Sequence, residues 1–219
     1  MIYSATNDNW QRVVLMHSIA RDLYRQTAGT DFRNRMVSGG ETFPFDPTAY
    51  ATLESESRII GMTMAWSVVT LESLANLQLA HLINDKQLAS SSIRNPRQVV
   101  KDLSICNSKG SELRLKLFIL QNQSNSTTLD AQSLAPIADS LANQRNQILH
   151  DKPFLLTDHG DGNVEFEEYS DSNASDRPVL RYDNLPDWYS NCDSIAKGIL
   201  LAEPNMVYTD VEFATLNAG

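Results

Sequence analysis

Arg145, Asn146 and His150 place an obligate cation, an amide and a titratable imidazole within six residues. Arginine keeps its charge at any physiological pH and offers a planar fork that fits a carboxylate or a phosphate. The charge of an imidazole changes near neutrality, which suits general acid–base work. Asn143, Asn146 and His150 are three and four residues apart, so they stack along one edge of a helix. Beside that edge runs the apolar stripe of Leu134, Ile137, Leu141 and Ile148, and Arg145 falls on it, where a solvent-seeking arginine would not sit. A carboxylate in apolar surroundings needs a partner. Glu72, within a long apolar stretch, is the natural partner for Arg145. A five-residue spacing puts Arg145 and His150 ~140° apart around the helix and ~7.5 Å apart along it. One helix presents the two awkwardly to a single phosphate, whereas two such helices meeting could surround it.

The run Arg145-Asn146-Gln147-Ile148-Leu149-His150 resembles the R-N-x-x-x-H motif of the HEPN superfamily, whose members are small α-helical domains. Asp151-Lys152-Pro153 follows it much as a Lys-Pro stretch follows the motif there, and the resemblance covers about residues 10–153. It implies a metal-independent endoribonuclease, related to toxins or phage defence, with one composite site built from two copies of the motif at a homodimer interface. In that reading Arg145, Asn146 and His150 are catalytic, with Glu72 and Asn143 supporting them. His150 deprotonates a ribose 2′-OH, which attacks the adjacent phosphate and leaves a cyclic phosphate and a 5′-OH. RNA, a second copy of the chain and an antitoxin or defence-system partner are the implied partners; no cofactor and no metal are implied. A toxin branch of the family carries a modifiable tyrosine two residues after the histidine. Lys152 stands there in this chain, so that form of neutralisation is in doubt.

Two other readings stay open. Many HEPN domains are non-catalytic, and Arg145, Asn146 and Glu72 would then form a structural network in a helical binding or interaction module. His150-Asp151 also matches one element of HD-type metal phosphohydrolases, but further ligands at suitable spacing are missing.

The elements that must position these residues are mostly helical. Ser133 as N-cap and Pro153 as stop bracket the motif helix. Asp46-Pro47 starts a helix that runs to about Asn84, and its nearly all-round apolarity marks it as central. Asp8 and Gln11 suggest a capping box before a helix over 10–26, on which His17 lies at the buried margin as a structural histidine. Residues 28–45 read as a loop carrying Arg33 and Arg35, with Ser90-Ser91-Ser92 as a linker or cap and short helices over 94–105 and 111–123. Beyond Pro153, alternation over Val164–Tyr169 and Pro178–Tyr182 predicts a hairpin, followed by a helix over Leu185–Glu203. The expected fold is mainly α: an antiparallel bundle of four to five helices with a small C-terminal β-hairpin and a further helix.

Charge divides the chain. Residues 1–157 carry 15 Lys/Arg against 14 Asp/Glu, whereas 158–219 carry 3 against 13, so the net charge of −9 belongs to the second segment. Two parts are expected, a HEPN-like bundle over 1–157 and an acidic appendage over 158–219 packed on it. The basic concentration Arg94, Arg97, Lys101, Lys109, Arg114 and Lys116 could steer a polyanion. The polar start MIYSATNDN reads against a secretory signal. The longest uncharged apolar run, Ile59–Leu71, is 13 residues, short of a membrane span. Cys106 and Cys192 fit no metal spacing and read as free thiols of a cytoplasmic protein.

Overall fold

The computed structural model describes residues 2–38, 42–124, 128–150, 155–158, 160, 162–167, 181–202 and 211–218. Among these the protein is mainly helical, with α1 Ile2–Thr27, α2 Asp31–Ser38, α3 Pro47–Leu82, α4 Lys86–Arg94, α5 Pro96–Asp102, α6 Glu112–Gln123, α7 Ala131–His150 and α8 Leu185–Leu201. None of these helices is long and apolar enough to cross a membrane.

Helix α3 is the axis. The Asp46 carboxylate accepts from the amides of Thr48 (2.9 Å) and Ala49 (3.0 Å), and Pro47 occupies the first turn, as the Asp-Pro pair predicts. Its neighbours are α1, α6, α7 and α8. Ile60, Val68, Leu71 and Leu74 are fully buried, and the buried hydroxyls among them are satisfied within the helix. Thr63, Ser67 and Thr70 each donate at 2.8 Å to the carbonyl four residues back. Helix α1 runs antiparallel to α3. Asn9 bonds Ser73 at 2.9 Å near one end, and Thr27 reaches Glu56 at 3.4 Å near the other.

Several expectations need correction. Helix α1 begins at Ile2 rather than at a capping box, because Thr6 is already fully buried and the packed row extends back through it. Residues 31–38 form α2 instead of loop, anchored by Arg33. That side chain is 5% exposed, pairs with Glu56 (2.6 and 3.0 Å), and lies 4.5 Å over the Tyr24 ring. It is therefore not available for a phosphate contact. Ser90-Ser91-Ser92 lies inside α4, which Asp85 caps through the amides of Gln87 and Leu88.

Three short strands, β1 Thr42–Pro44, β2 Leu155–Asp158 and β3 Asn163–Glu167, form an antiparallel sheet in the order β1-β3-β2. The expected hairpin between Val164–Tyr169 and Pro178–Tyr182 falls largely outside the described residues. The β3 residues pair instead with Leu155–Asp158 on one side and Thr42–Pro44 on the other, and Tyr182 opens a 3-10 turn, Tyr182–Asn184. Residues 168–180 lie outside the described set. Gly160 and Gly162, at φ 79° and 85°, let β2 and β3 join over a very short connection.

The charge boundary at residue 157 falls within β2. Trp188, Tyr189, Cys192, Ile195 and Ile199 of α8 share one apolar cluster with the core residues of α1, α3, α6 and α7. Phe213, in the 3-10 segment Phe213–Ala218, meets Trp10 edge-on at 5.0 Å and so closes the far side of α1.

Candidate functional site

Helix α7 carries the motif and starts three residues earlier than its sequence suggests. The Asp130 carboxylate accepts from the amides of Gln132 (3.1 Å) and Ser133 (3.2 Å), while the expected cap, Ser133, donates its hydroxyl back to the Asp130 carbonyl. Asp130 prevails because Leu129, just before it, and Ala131, just after it, are buried and fix the entry of the chain. The helix then passes through Pro136 without interruption and extends to His150.

Arg145 does lie against Glu72. Its Nη1 donates to Glu72 Oε1 at 3.0 Å, and both side chains are about one-fifth exposed. Arg145 Nε (3.3 Å) and Nη2 (3.2 Å) donate to the side-chain carbonyl of Asn146. Asn146 therefore fixes the guanidinium from the exposed side while Glu72 fixes it from below. Asn143 is exposed on the same edge of the helix. The His150 backbone ends α7; its side chain lies outside the described residues.

Arg145 forms part of the wall of a cleft of about 540 Å³ between α3, α6 and α7. Asp139, Ala142, Asn143 and Asn146 line it at the three- and four-residue spacing of one helix face. Gly110, Ser111 and Glu112 supply the opposite wall, with Arg97 beside them. Each carboxylate here has a basic neighbour: Glu72 has Arg145, Asp139 has Arg114 at 3.6 Å, and Glu112 has Lys116 at 3.8 Å. Arg97 has no such partner among the described residues; its Nη2 donates to the Gly110 carbonyl at 3.1 Å. The lining itself carries two cations, Arg97 and Arg145, against three carboxylates, Glu72, Glu112 and Asp139.

Two of the six basic residues over 94–116 are built into the fold. Lys116 is 3% exposed, and burial pushes its ammonium below the usual lysine range against the opposing pull of Glu72 and Glu112. Arg114 donates to the Lys109 carbonyl at 2.8 Å and lies over Phe118. Gly110, at φ 99°, is required where it stands. A Cβ there would come within 2.6 Å of Arg114 Nη1 and 2.9 Å of the Asp139 carboxylate.

Asp139, Ser111 and Gly110 are site residues that sequence reasoning missed. The signal for Asp139 was present, since it precedes Asn143 and Asn146 by four and seven residues. The others come from another helix start, and only packing brings them near. His17 is the structural histidine expected of it, 6% exposed with Nδ1 at 2.9 Å from the Tyr189 hydroxyl. Among the described residues no three His, Cys, Asp or Glu side chains group closely enough to hold a metal ion.

Compared with known proteins, the chain matches no family model, no curated protein and no solved structure. The resemblance to HEPN therefore rests on residues 145–150 and their setting.

Proposed function

We propose that the protein is a metal-independent endoribonuclease of HEPN type, acting through a composite site in which Arg145, Asn146 and His150 of two copies meet. One observation carries the reading. Arg145 is immobilised on a cleft wall by Glu72 and Asn146, which engage three of its five N–H groups and leave two for a phosphate. A guanidinium fixed before the substrate arrives stabilises a developing phosphorane with little reorganisation. His150, at the end of the same helix, takes the 2′-OH proton, and the products carry cyclic phosphate and 5′-OH ends. Glu72 positions Arg145 rather than touching the substrate, and Asn143 flanks the path of the RNA backbone.

A toxin or phage-defence role, with an antitoxin or defence-system partner, accompanies this reading in the cytoplasm. The second reading, a non-catalytic interaction module, draws on the carboxylates of the same cleft. Glu72, Glu112 and Asp139 sit where a polyanion would have to approach.

The test is cleavage of a generic RNA by wild type, His150→Ala and Arg145→Gln in EDTA, with end-group analysis and sedimentation of each protein. Metal-free cleavage with cyclic phosphate ends should fall about 100-fold or more in either variant while fold and dimer persist. Equal background cleavage from all three proteins would sink the nuclease reading and leave the interaction module.

A further inference from the structure

A second cavity, of about 210 Å³, lies between α1, the Tyr182–Asn184 turn and the start of α8. Its walls are aromatic and apolar: Tyr24, Tyr182, Tyr189, Leu185, Pro186 and Leu216. Tyr24 and Tyr182 stack at 4.9 Å with an interplanar angle of 23°. His17 lies against Tyr182 and Tyr189, held by the Tyr189 hydroxyl on Nδ1, with Nε2 at 3.4 Å from the Tyr182 hydroxyl. Burial and Arg21 both hold this imidazole below its ordinary pKa, so it adds no charge to the pocket at neutral pH.

The charge comes from Arg21 and Arg25, one turn apart on α1 and both lining the cavity. Arg21 forms no ion pair among the described residues, and its Nε is buried without a hydrogen-bond partner. Such a donor is seldom left unmatched in a folded protein. Among the described residues Arg25 has only an exposed contact with Asp22 at 3.9 Å, too weak to compete with a ligand. Asp183, the acid of this neighbourhood, is taken up by the Tyr24 hydroxyl and lies 4.0 Å from Arg33. Two guanidiniums without committed acids therefore flank an aromatic chamber.

Size narrows the ligand. Pockets for drug-sized molecules run from ~300 to 1,000 Å³, so this one takes a single ring system. We propose that it binds a small aryl oxyanion, with the ring in the aromatic chamber and its carboxylate or phosphate on the guanidiniums of Arg21 and Arg25. Neither half of such a molecule suffices. A bare anion would leave the apolar walls uncovered, and a neutral ring would leave Arg21 unmatched.

The test is titration of the full chain, by calorimetry and by amide NMR shifts, with phenyl phosphate, benzoate, inorganic phosphate and benzyl alcohol. Saturable binding of phenyl phosphate or benzoate, shifting amides around Arg21, Tyr24, Tyr182 and Leu216, is the expected result. Whichever binds more tightly identifies the oxyanion. Inorganic phosphate and benzyl alcohol should bind at least about tenfold more weakly, and Arg21→Gln should lose about tenfold or more. Arg25→Gln, at an exposed position, gives a second reading should Arg21→Gln disturb the fold. Arg145→Gln should leave this binding unchanged, which separates the outcome from that of the nuclease assay. Comparable weak binding of all four probes, or aryl binding unaffected by both arginine variants, would overturn the proposal.

Discussion

Glu56→Gln is the most informative single perturbation of the fold. Glu56 is 2% exposed and Arg33 5%, and the two meet in a two-pronged contact at 2.6 and 3.0 Å. Thr27 Oγ1 completes the cluster, accepting from Arg33 at 2.9 Å and donating to Glu56 at 3.4 Å. An amide in place of the carboxylate keeps the shape but leaves a buried guanidinium with only the exposed Asp183, 4.0 Å away, as counter-charge. Removing one partner of a buried pair costs ~3–5 kcal/mol, mostly the uncompensated charge rather than the net worth of the pair. For a chain of 219 residues that corresponds to a fall in Tm of about 6–20 °C. Urea unfolding followed by circular dichroism measures it, with the slope checked for constancy. The double variant Arg33→Met/Glu56→Leu should recover much of the loss, because it removes both charges together. A single-variant loss below about 1 kcal/mol, or a double variant as unstable as the two singles summed, would refute the reasoning.

Gln78 is fully buried with both its Oε1 and Nε2 unpartnered, so Gln78→Met should raise unfolding free energy by about 1–3 kcal/mol in the same urea assay. His17, held below its ordinary 6.5, makes the unfolded chain take up the proton first as pH falls. Stability should therefore drop below about pH 6.5 and level off once native His17 also protonates, a dependence that His17→Gln should remove in unfolding curves from pH 7.5 to 5. Cys192 is fully buried with its thiol pushed well above the usual range, so at pH 8 Ellman's reagent should reach it only at the rate of unfolding. Half-buried Cys106 should react first, and mass spectrometry of the early adduct decides the order.

The helices that were legible carry their own boundaries. Asp46-Pro47 opens α3, Ser111 caps α6 through the Arg114 amide, and the Trp188, Cys192, Ile195 and Ile199 row sets the face of α8. The Glu72–Arg145 pair was legible for a related reason, since each interrupts an apolar stripe and each therefore needs the other. Helix α2 was not, because eight residues between glycines have no period of their own. What holds α2 is Arg33 reaching Glu56 across 23 positions of sequence. The partners of β3 were missed because alternation specifies a strand and a face but not the neighbour. The far wall of the cleft, Gly110 to Glu112, was hidden because it depends on where α5 and α6 are joined in space.

Helix α3 has one further consequence. It receives Arg33 of α2 at Glu56 and Arg145 of α7 at Glu72, 16 residues apart on the same rod and hence ~24 Å along its axis. At that distance, with each carboxylate neutralised by its own arginine, the coupling between the two pairs is small. The two clamps share a support without sharing a field, so the chain can be retuned at either end with the other as an internal reference.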